Sequence, residues 1–151
     1  MSYEEIPSLN LIACFLLCAA QQHPPSVAEG DTLIIRLLNG KTGKPVKNSV
    51  INVWLEDAQI AALNPTTDSN GEIHLRIADA QSRTLRFLPG DSVDCRYKKG
   101  QLFEPVKFPI QEILSHGVVA PNLCGNATAK PTPGVLVIFV RNLTFMEKWR
   151  L

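Results

Sequence analysis

Residues 38–77 decide the fold, and they read LNGKTGKPVKNSVINVWLEDAQIAALNPTTDSNGEIHLRI. Gly, Asn, Asp and Pro are concentrated in two turn-forming segments of this stretch, residues 39–45 and 66–71. Residues 51–56 and 72–77 alternate apolar with polar side chains, which is the period of a half-buried strand. The stretch therefore predicts strands joined by tight turns.

The strand pattern continues on both sides of this stretch. Upstream, residues 32–38 form the first predicted strand, and downstream residues 84–88 repeat the alternation. Residues 93–97 predict a further short strand that carries Cys95. The continuous apolar run at residues 135–140 is typical of a central strand covered on both faces. Short strands separated by Gly, Pro and Asp turns predict an all-β fold, a β-sandwich.

Helix is a minor part of the predicted fold. Residues 110–115 predict one or two helical turns that end at Gly117. In the C-terminal tail, Phe145, Met146 and Trp149 share one side of a helical turn, which favours packing across the end of the sandwich. An anchor at a membrane surface or on a partner is the alternative role for this tail.

The N-terminal segment indicates export. Residues 9–20 are an apolar run shorter than the 20 or so residues that span a bilayer, and they fit a signal peptide cleaved before Gln21. The acidic start lacks the positive charge typical of such signals. The sequence LIAC, ending at Cys14, resembles a lipobox, so a lipid anchor on Cys14 is an alternative, as is a retained apolar N-terminus.

Composition is compatible with one exported domain. The chain has 151 residues, of which 45% are hydrophobic, and this suffices for a single core. Its net charge of +1 gives no indication of nucleic-acid binding. The predicted organisation is a signal peptide at residues 1–20, a linker at 21–30 and one β-sandwich domain at 31–151.

Cys95 and Cys124 are the cysteines outside the predicted signal peptide. In an oxidising compartment two cysteines of one small domain usually pair, so we expect a disulfide between them. Two separate buried thiols are the alternative. We expect no metal site, because the two cysteines lack zinc-ligand spacing and residues 68–72 lack the further oxygen ligands of a calcium loop. No cofactor is predicted.

Five side chains at outward-pointing strand positions are candidates for binding. If their strands are neighbours, these side chains form one polar face with an aromatic ring suited to a protein partner or a sugar. The alternative is an ordinary solvated face whose tryptophan is covered by a loop or by the tail. A binding role predicts that this tryptophan is exposed, and a structural role predicts that it is buried. The five are Trp54, Glu72, His74, Arg76 and Arg86.

The two turn segments carry a resemblance to a known family. Gly40-Lys41-Thr42-Gly43-Lys44-Pro45-Val46 and Thr67-Asp68-Ser69-Asn70-Gly71 resemble the turns of carboxypeptidase regulatory-like domains. The resemblance covers about residues 32–90 and implies a transthyretin-like (immunoglobulin-like) β-sandwich. The short helical insertion and the C-terminal tail predicted above complete the expected fold. Domains of this family accompany larger proteins or act as binding and adhesion modules, and their matched residues build turns.

Sequence patterns of catalysis are weak. The Tyr-Arg-Gly-Ser signature of transthyretin-like hydroxyisourate hydrolases is absent, and so is a Gly-x-Ser-x-Gly elbow. A hydrolase would need a cleft that holds polarised groups, such as His116 beside Asp91 or Asp94. We therefore expect an exported non-catalytic module that binds a protein or carbohydrate of the cell envelope. A purely structural or lipid-anchored envelope protein is the alternative, with membrane contact only through the N-terminus.

Overall fold

The computed structural model describes residues 32–56, 63–77, 84–97 and 106–148. The predicted signal peptide, the linker, the Cys14 anchor and Trp149 lie outside these residues. Within them the chain forms eight strands and two short helices: β1 Thr32–Asn39, β2 Ile51–Leu55, β3 Glu72–Arg76, β4 Thr84–Pro89, β5 Ser92–Asp94, β6 Lys107–Pro109, α1 Ile110–His116, β7 Val118–Val119, β8 Val135–Asn142 and α2 Phe145–Lys148.

The strands form two sheets. One sheet has the order β3-β1-β8-β5, with β7 paired to β8, and the other has the order β2-β4-β6. Leu33, Phe87 and Leu136, which come from both sheets, lie in one hydrophobic core and are each fully buried. Burial of this kind is the main stabilising term of such a fold. The prediction of a mainly β chain is therefore confirmed.

Strand β8 is the centre of the larger sheet. It pairs in parallel with β1, with Ile34 opposite Val135 and Asn39 opposite Val140, and antiparallel with β5. Leu136 and Ile138 enter the main core, whereas Val137 and Phe139 face a second buried cluster that includes Cys95. Apolar side chains are thus required on both faces, which confirms the prediction of a central strand.

The turn before β3 is built as its sequence predicts. The Asp68 carboxylate accepts hydrogen bonds from the backbone N–H groups of Asn70 and Glu72, both at 2.8 Å. The bond from Glu72 is the main reason why the pKa of Asp68 lies below its usual 3.8. Gly71 has a φ of +73°, and a Cβ there would lie 2.8 Å from the carbonyl oxygen of Leu37. Only glycine fits this position without strain.

Thr67 ties the two turn segments together. Its hydroxyl accepts a hydrogen bond from the Ser49 N–H at 2.9 Å and donates one to the Val46 carbonyl at 2.8 Å. Thr67 is almost fully buried, so both bonds satisfy groups that water does not reach. The motif residue therefore positions the loop that leads into β2.

One predicted strand is shorter in the structure, and two short strands were not predicted. The strand predicted at residues 93–97 ends at Asp94, because Asp94 and Arg96 form a buried turn. Pro45, at the end of the first turn segment, forms a single bridge to Leu38, since proline has no N–H to continue a ladder. Strands β6 and β7 are two or three residues long, too short to show an alternating pattern.

Helix α1 follows its prediction closely. It begins at Ile110 and ends at His116, and it buries Ile110 and Ile113 against the core. Gly117 caps it with a φ of +75° and donates its N–H to the carbonyl of Ile113 at 2.9 Å. A Cβ on Gly117 would overlap the backbone of Thr132. Glycine is therefore needed here for close packing as well as for ending the helix.

Candidate functional site

A cleft of about 1,100 Å³ lies where the last residues of β1 and β8 meet the first residue of β5. Asn39 is opposite Val140 in the parallel pair, and Ser92 is opposite Asn142 in the antiparallel pair. The turn after β1 and the segment after β8 therefore leave the sheet side by side. The polar lining includes Asn39, Lys41, Asn52, Ser92, Tyr97 and Arg141.

One wall of the cleft is fixed by the predicted disulfide. Cys95 and Cys124 are bonded, with their Cα atoms 5.2 Å apart, and Cys124 lines the cleft. The Asn122 side chain holds the same segment by donating to the carbonyls of Gly40 at 2.8 Å and Ala127 at 2.9 Å. The disulfide prediction is confirmed, and the bond joins an irregular segment to the sheet.

Removing this disulfide should weaken the fold substantially. Because the bond joins residues 29 apart in sequence, the Cys95→Ala/Cys124→Ala variant should lose about 3–4 kcal/mol of unfolding free energy in urea denaturation. Wild-type protein in excess reductant is the control and should show a loss of similar size. Equal denaturation midpoints for oxidised and reduced protein would contradict the expectation.

A buried ion pair lies beside the cleft, where Asp94 also forms part of the lining. The Arg96 Nε donates to both oxygens of the Asp94 carboxylate, at 2.9 and 2.8 Å, and its Nη2 donates to the same group. Each side chain is 3% exposed. The guanidinium carbon lies 5.2–5.5 Å from the ring centres of Phe87, Tyr97 and Phe108. Pairing and ring contacts together make these buried charges tolerable.

A second ion pair forms the rim at helix α2. The Arg141 guanidinium binds the Glu147 carboxylate through two hydrogen bonds, each 2.8 Å long. Glu147 also accepts from the backbone N–H of Thr144 at 2.8 Å, and its own N–H lies 3.4 Å from the Thr144 hydroxyl. This is the reciprocal arrangement of a capping box. The hydrogen bond from Arg141 is the main cause that holds the pKa of Glu147 far below its usual 4.5.

Acidification should break the ion pair between Arg141 and Glu147. Because the pKa of Glu147 is lowered in the folded protein, its contribution to stability is fully present above pH 4.5 and is lost as the pH falls below that value. We expect the amide NMR signal of Thr144 to follow this titration with a midpoint below 4.5. The same signal in Glu147→Gln should show no such titration. A midpoint at or above 4.5 would rule out the ion pair in solution.

Two polar groups of the cleft have no described partner. Lys41 is exposed, and no carboxylate of the described residues pairs with it. The Ser92 hydroxyl is buried and makes no hydrogen bond within that same part of the chain. The other charged groups of the lining are paired: Asp94 with Arg96, and Arg141 with Glu147. The cleft therefore presents the Lys41 ammonium to a ligand, whereas the Ser92 hydroxyl lies beneath the surface.

The five predicted binding residues do not form one face. Trp54 and Arg86 are opposite each other on β2 and β4 of the smaller sheet. Glu72, His74 and Arg76 lie on β3 at the edge of the larger sheet. The condition that their strands are neighbours is not met, because β3 pairs with β1 instead of β4.

Trp54 is buried despite its place in the alternation. Its exposed fraction is 4%, and its strand shows buried side chains at both Val53 and Trp54. A binding role would require this ring to be exposed. Its burial is instead what a structural role predicts. By contrast, Glu72 is half-buried, and His74 and Arg76 are exposed.

Glu72 is held by its neighbours on the outer side of β3. Arg36 Nε donates to Glu72 Oε1 at 2.7 Å, and His74 Nε2 lies 3.5 Å from Glu72 Oε2. One ligand atom from each of Asp68, Glu72 and His74 falls within 4.8 Å of the others. A cation there would have to compete with the guanidinium of Arg36, so the group gives no independent indication of a metal.

The hydrolase arrangement is not formed by the residues named for it. His116 lies at the exposed end of α1, where its Nδ1 is 2.9 Å from the Ser115 hydroxyl. Asp91 accepts a hydrogen bond from the Ser49 hydroxyl at 2.6 Å, and Asp94 binds Arg96. Neither carboxylate is an orienting partner for the imidazole, so these residues offer no His–Asp pair for catalysis.

Comparison with known proteins identifies no family. No protein-family model matches the chain, and no curated protein matches it. Among solved structures the chain is similar to a 9R-lipoxygenase from Cyanothece PCC8801, with 16% sequence identity and a TM-score of 0.31. The match covers 74% of this chain and 16% of the lipoxygenase, too slight a likeness to support any argument. Within the described residues, no helix has the length and apolar character needed to cross a bilayer.

Proposed function

We propose that the chain is an exported, non-catalytic binding module of the cell envelope that holds a carbohydrate in the cleft. The observation that carries the proposal is the cleft itself, in which the exposed Lys41 ammonium has no carboxylate partner among the described residues. A volume of about 1,100 Å³ is slightly above the usual range for small-molecule sites, which suits a ligand of several sugar units.

The chemistry of the lining favours a sugar over an apolar ligand. Sugars present many hydroxyl groups, each able to donate and accept, and a ring face that can pack on an aromatic side chain. Asn39 and Asn52 supply amide groups, and Tyr97 supplies the aromatic ring. Asn39 is held in place, because its Oδ1 accepts from the N–H groups of Lys41 at 3.0 Å and Thr42 at 3.1 Å. Such fixed polar groups provide orientation in binding sites.

Export and the transthyretin-like sandwich are parts of the same proposal. The Cys95–Cys124 bond supports export, since disulfides persist mainly in oxidising compartments. The turns at Thr67 and Gly71 support kinship with carboxypeptidase regulatory-like domains, because those motif residues shape the loops between strands. Two sheets that share one core are compatible with that sandwich.

A purely structural envelope protein is the second candidate. The observation that favours it is the burial of Trp54, the aromatic side chain that a binding face would have exposed. Under this function the cleft holds no specific ligand, and changes in its lining affect neither partner binding nor activity.

A glycan array followed by calorimetry distinguishes the two candidates. We expect the folded domain to bind a defined oligosaccharide and Asn52→Ala to weaken that binding with little change in melting temperature. His74→Ala, at an exposed position on β3 that does not line the cleft, is the matched control and should bind as wild type does. Absence of binding across the array, or equal effects of the two variants, would reject the cleft as a sugar site. If the cleft is found to bind a protein, the proposed carbohydrate ligand is wrong and the partner is a protein.

A further inference from the structure

The charge distribution of the cleft is uneven. Among the described residues its acidic groups, Asp94 and Glu147, are each bound to an arginine, whereas Lys41 has no carboxylate partner. Gly40, the residue before Lys41, donates its N–H to the carbonyl of Val140 at 2.9 Å. Lys41 follows Gly40 in the chain and Arg141 follows Val140. This backbone hydrogen bond therefore lies one residue before each of the two basic side chains.

Arg141 already displays how it binds a carboxylate. Its two terminal nitrogens form a fork on the two oxygens of Glu147, which is the strongest and most directional mode of carboxylate binding by a side chain. Glu147 belongs to a helix of four residues, and so short a helix has little stability of its own. The Phe145 ring of that helix is 72% exposed. The carboxylate on Arg141 is thus supplied by a helix of a single turn.

We propose that the cleft selects an acidic saccharide, and that a uronate carboxylate of this ligand binds Lys41 and replaces Glu147 on Arg141. This inference rests on the carbohydrate-binding function proposed above. Glu147 is then an internal competitor, whose place on the guanidinium the ligand must take. The Asn52 amide, which also lines the cleft, remains available for the neutral hydroxyl groups of the same sugar chain.

Calorimetry with paired ligands tests this selection. The probes are tetragalacturonate, a hyaluronan hexasaccharide and a mannuronate tetramer, each compared with its carboxyl-reduced neutral form. We expect at least one acidic probe to bind about tenfold or more tightly than its neutral form, as a charge-assisted hydrogen bond predicts. Added NaCl should reduce this difference, because the charges are near the surface.

Matched variants assign the effect to particular side chains. Lys41→Ala should lose about tenfold in affinity for the acidic probe, whereas Lys47→Ala, an exposed lysine of the same turn region that does not line the cleft, should bind as wild type does. Glu147→Gln should bind the acidic probe several-fold more tightly, because a neutral amide competes less well for Arg141. Glu112→Gln, on the exposed side of α1, should leave the affinity unchanged.

Each contrary outcome has a definite meaning. Equal affinity for acidic and neutral forms overturns this inference and leaves the sugar site intact. Binding of neutral glycans alone has the same meaning. Failure of every acidic and neutral glycan to bind overturns the proposed function as well. Selective binding that is unchanged or weakened in Glu147→Gln overturns the replacement of Glu147 on Arg141.

Discussion

Replacing Arg96 with alanine is expected to lower the free energy of unfolding by about 3–5 kcal/mol. The substitution leaves the Asp94 carboxylate buried without its cation, and it removes packing against the rings of Phe87, Tyr97 and Phe108. It also removes the hydrogen bond from Arg96 Nη2 to the carbonyl of Phe87. Urea denaturation followed by circular dichroism measures the loss.

Removing both charges together separates the cost of the orphaned carboxylate from that of lost packing. The double variant Asp94→Leu/Arg96→Met keeps comparable side-chain volume and leaves no buried charge. We expect it to be more stable than Arg96→Ala, because apolar replacements of a buried pair are often neutral or stabilising. If Arg96→Ala costs less than about 1 kcal/mol, the guanidinium is solvated and the pair is not buried in solution.

Replacing Trp54 with alanine should cost about 3–5 kcal/mol, the usual range for a large aromatic side chain in a core. The indole is 4% exposed, so its removal leaves a buried cavity in place of the ring. Phe145→Ala is the aromatic control and should cost about 0.5 kcal/mol or less, since that ring is 72% exposed. Thermal melting of both variants provides the comparison.

The same variant also bears on function. If the cleft binds the ligand, Trp54→Ala protein that is still folded at low temperature should keep the affinity of the wild type. A loss of affinity without a loss of stability would show that Trp54 contributes to binding and would disprove its structural role.

Most strands could be predicted because their signal is local. The alternation in β3 and the uninterrupted apolar run of β8 each report which side chains meet the core, and both strands occur where the pattern indicates. The turn at Gly71 and the end of α1 at Gly117 were predictable for the same reason, since a positive φ favours glycine.

The candidate site could not be predicted, because it depends on which strands become neighbours. Lys41, Ser92 and Arg141 are far apart in sequence and meet only through the pairing of β8 with β1 and β5. The polar face expected around Trp54 failed for the corresponding reason: β3 and β4 belong to different sheets.

The buried pair illustrates a second limit of sequence patterns. Asp94 and Arg96 flank Cys95 with the alternation of a surface-facing strand, and charged residues in that pattern usually contact water. Only the surrounding aromatic rings, which come from β4, β6 and the adjacent turn, show that both charges are inside. Burial of such a pair is therefore a property of the tertiary structure.

The parallel pairing of β1 with β8 also has a consequence for the order of folding. During synthesis β1 emerges long before β8, so the inner edge of the larger sheet stays open until almost the whole domain has left the ribosome. Contacts between such distant segments form slowly. A nascent chain of this design can therefore complete its larger sheet only near the end of its synthesis.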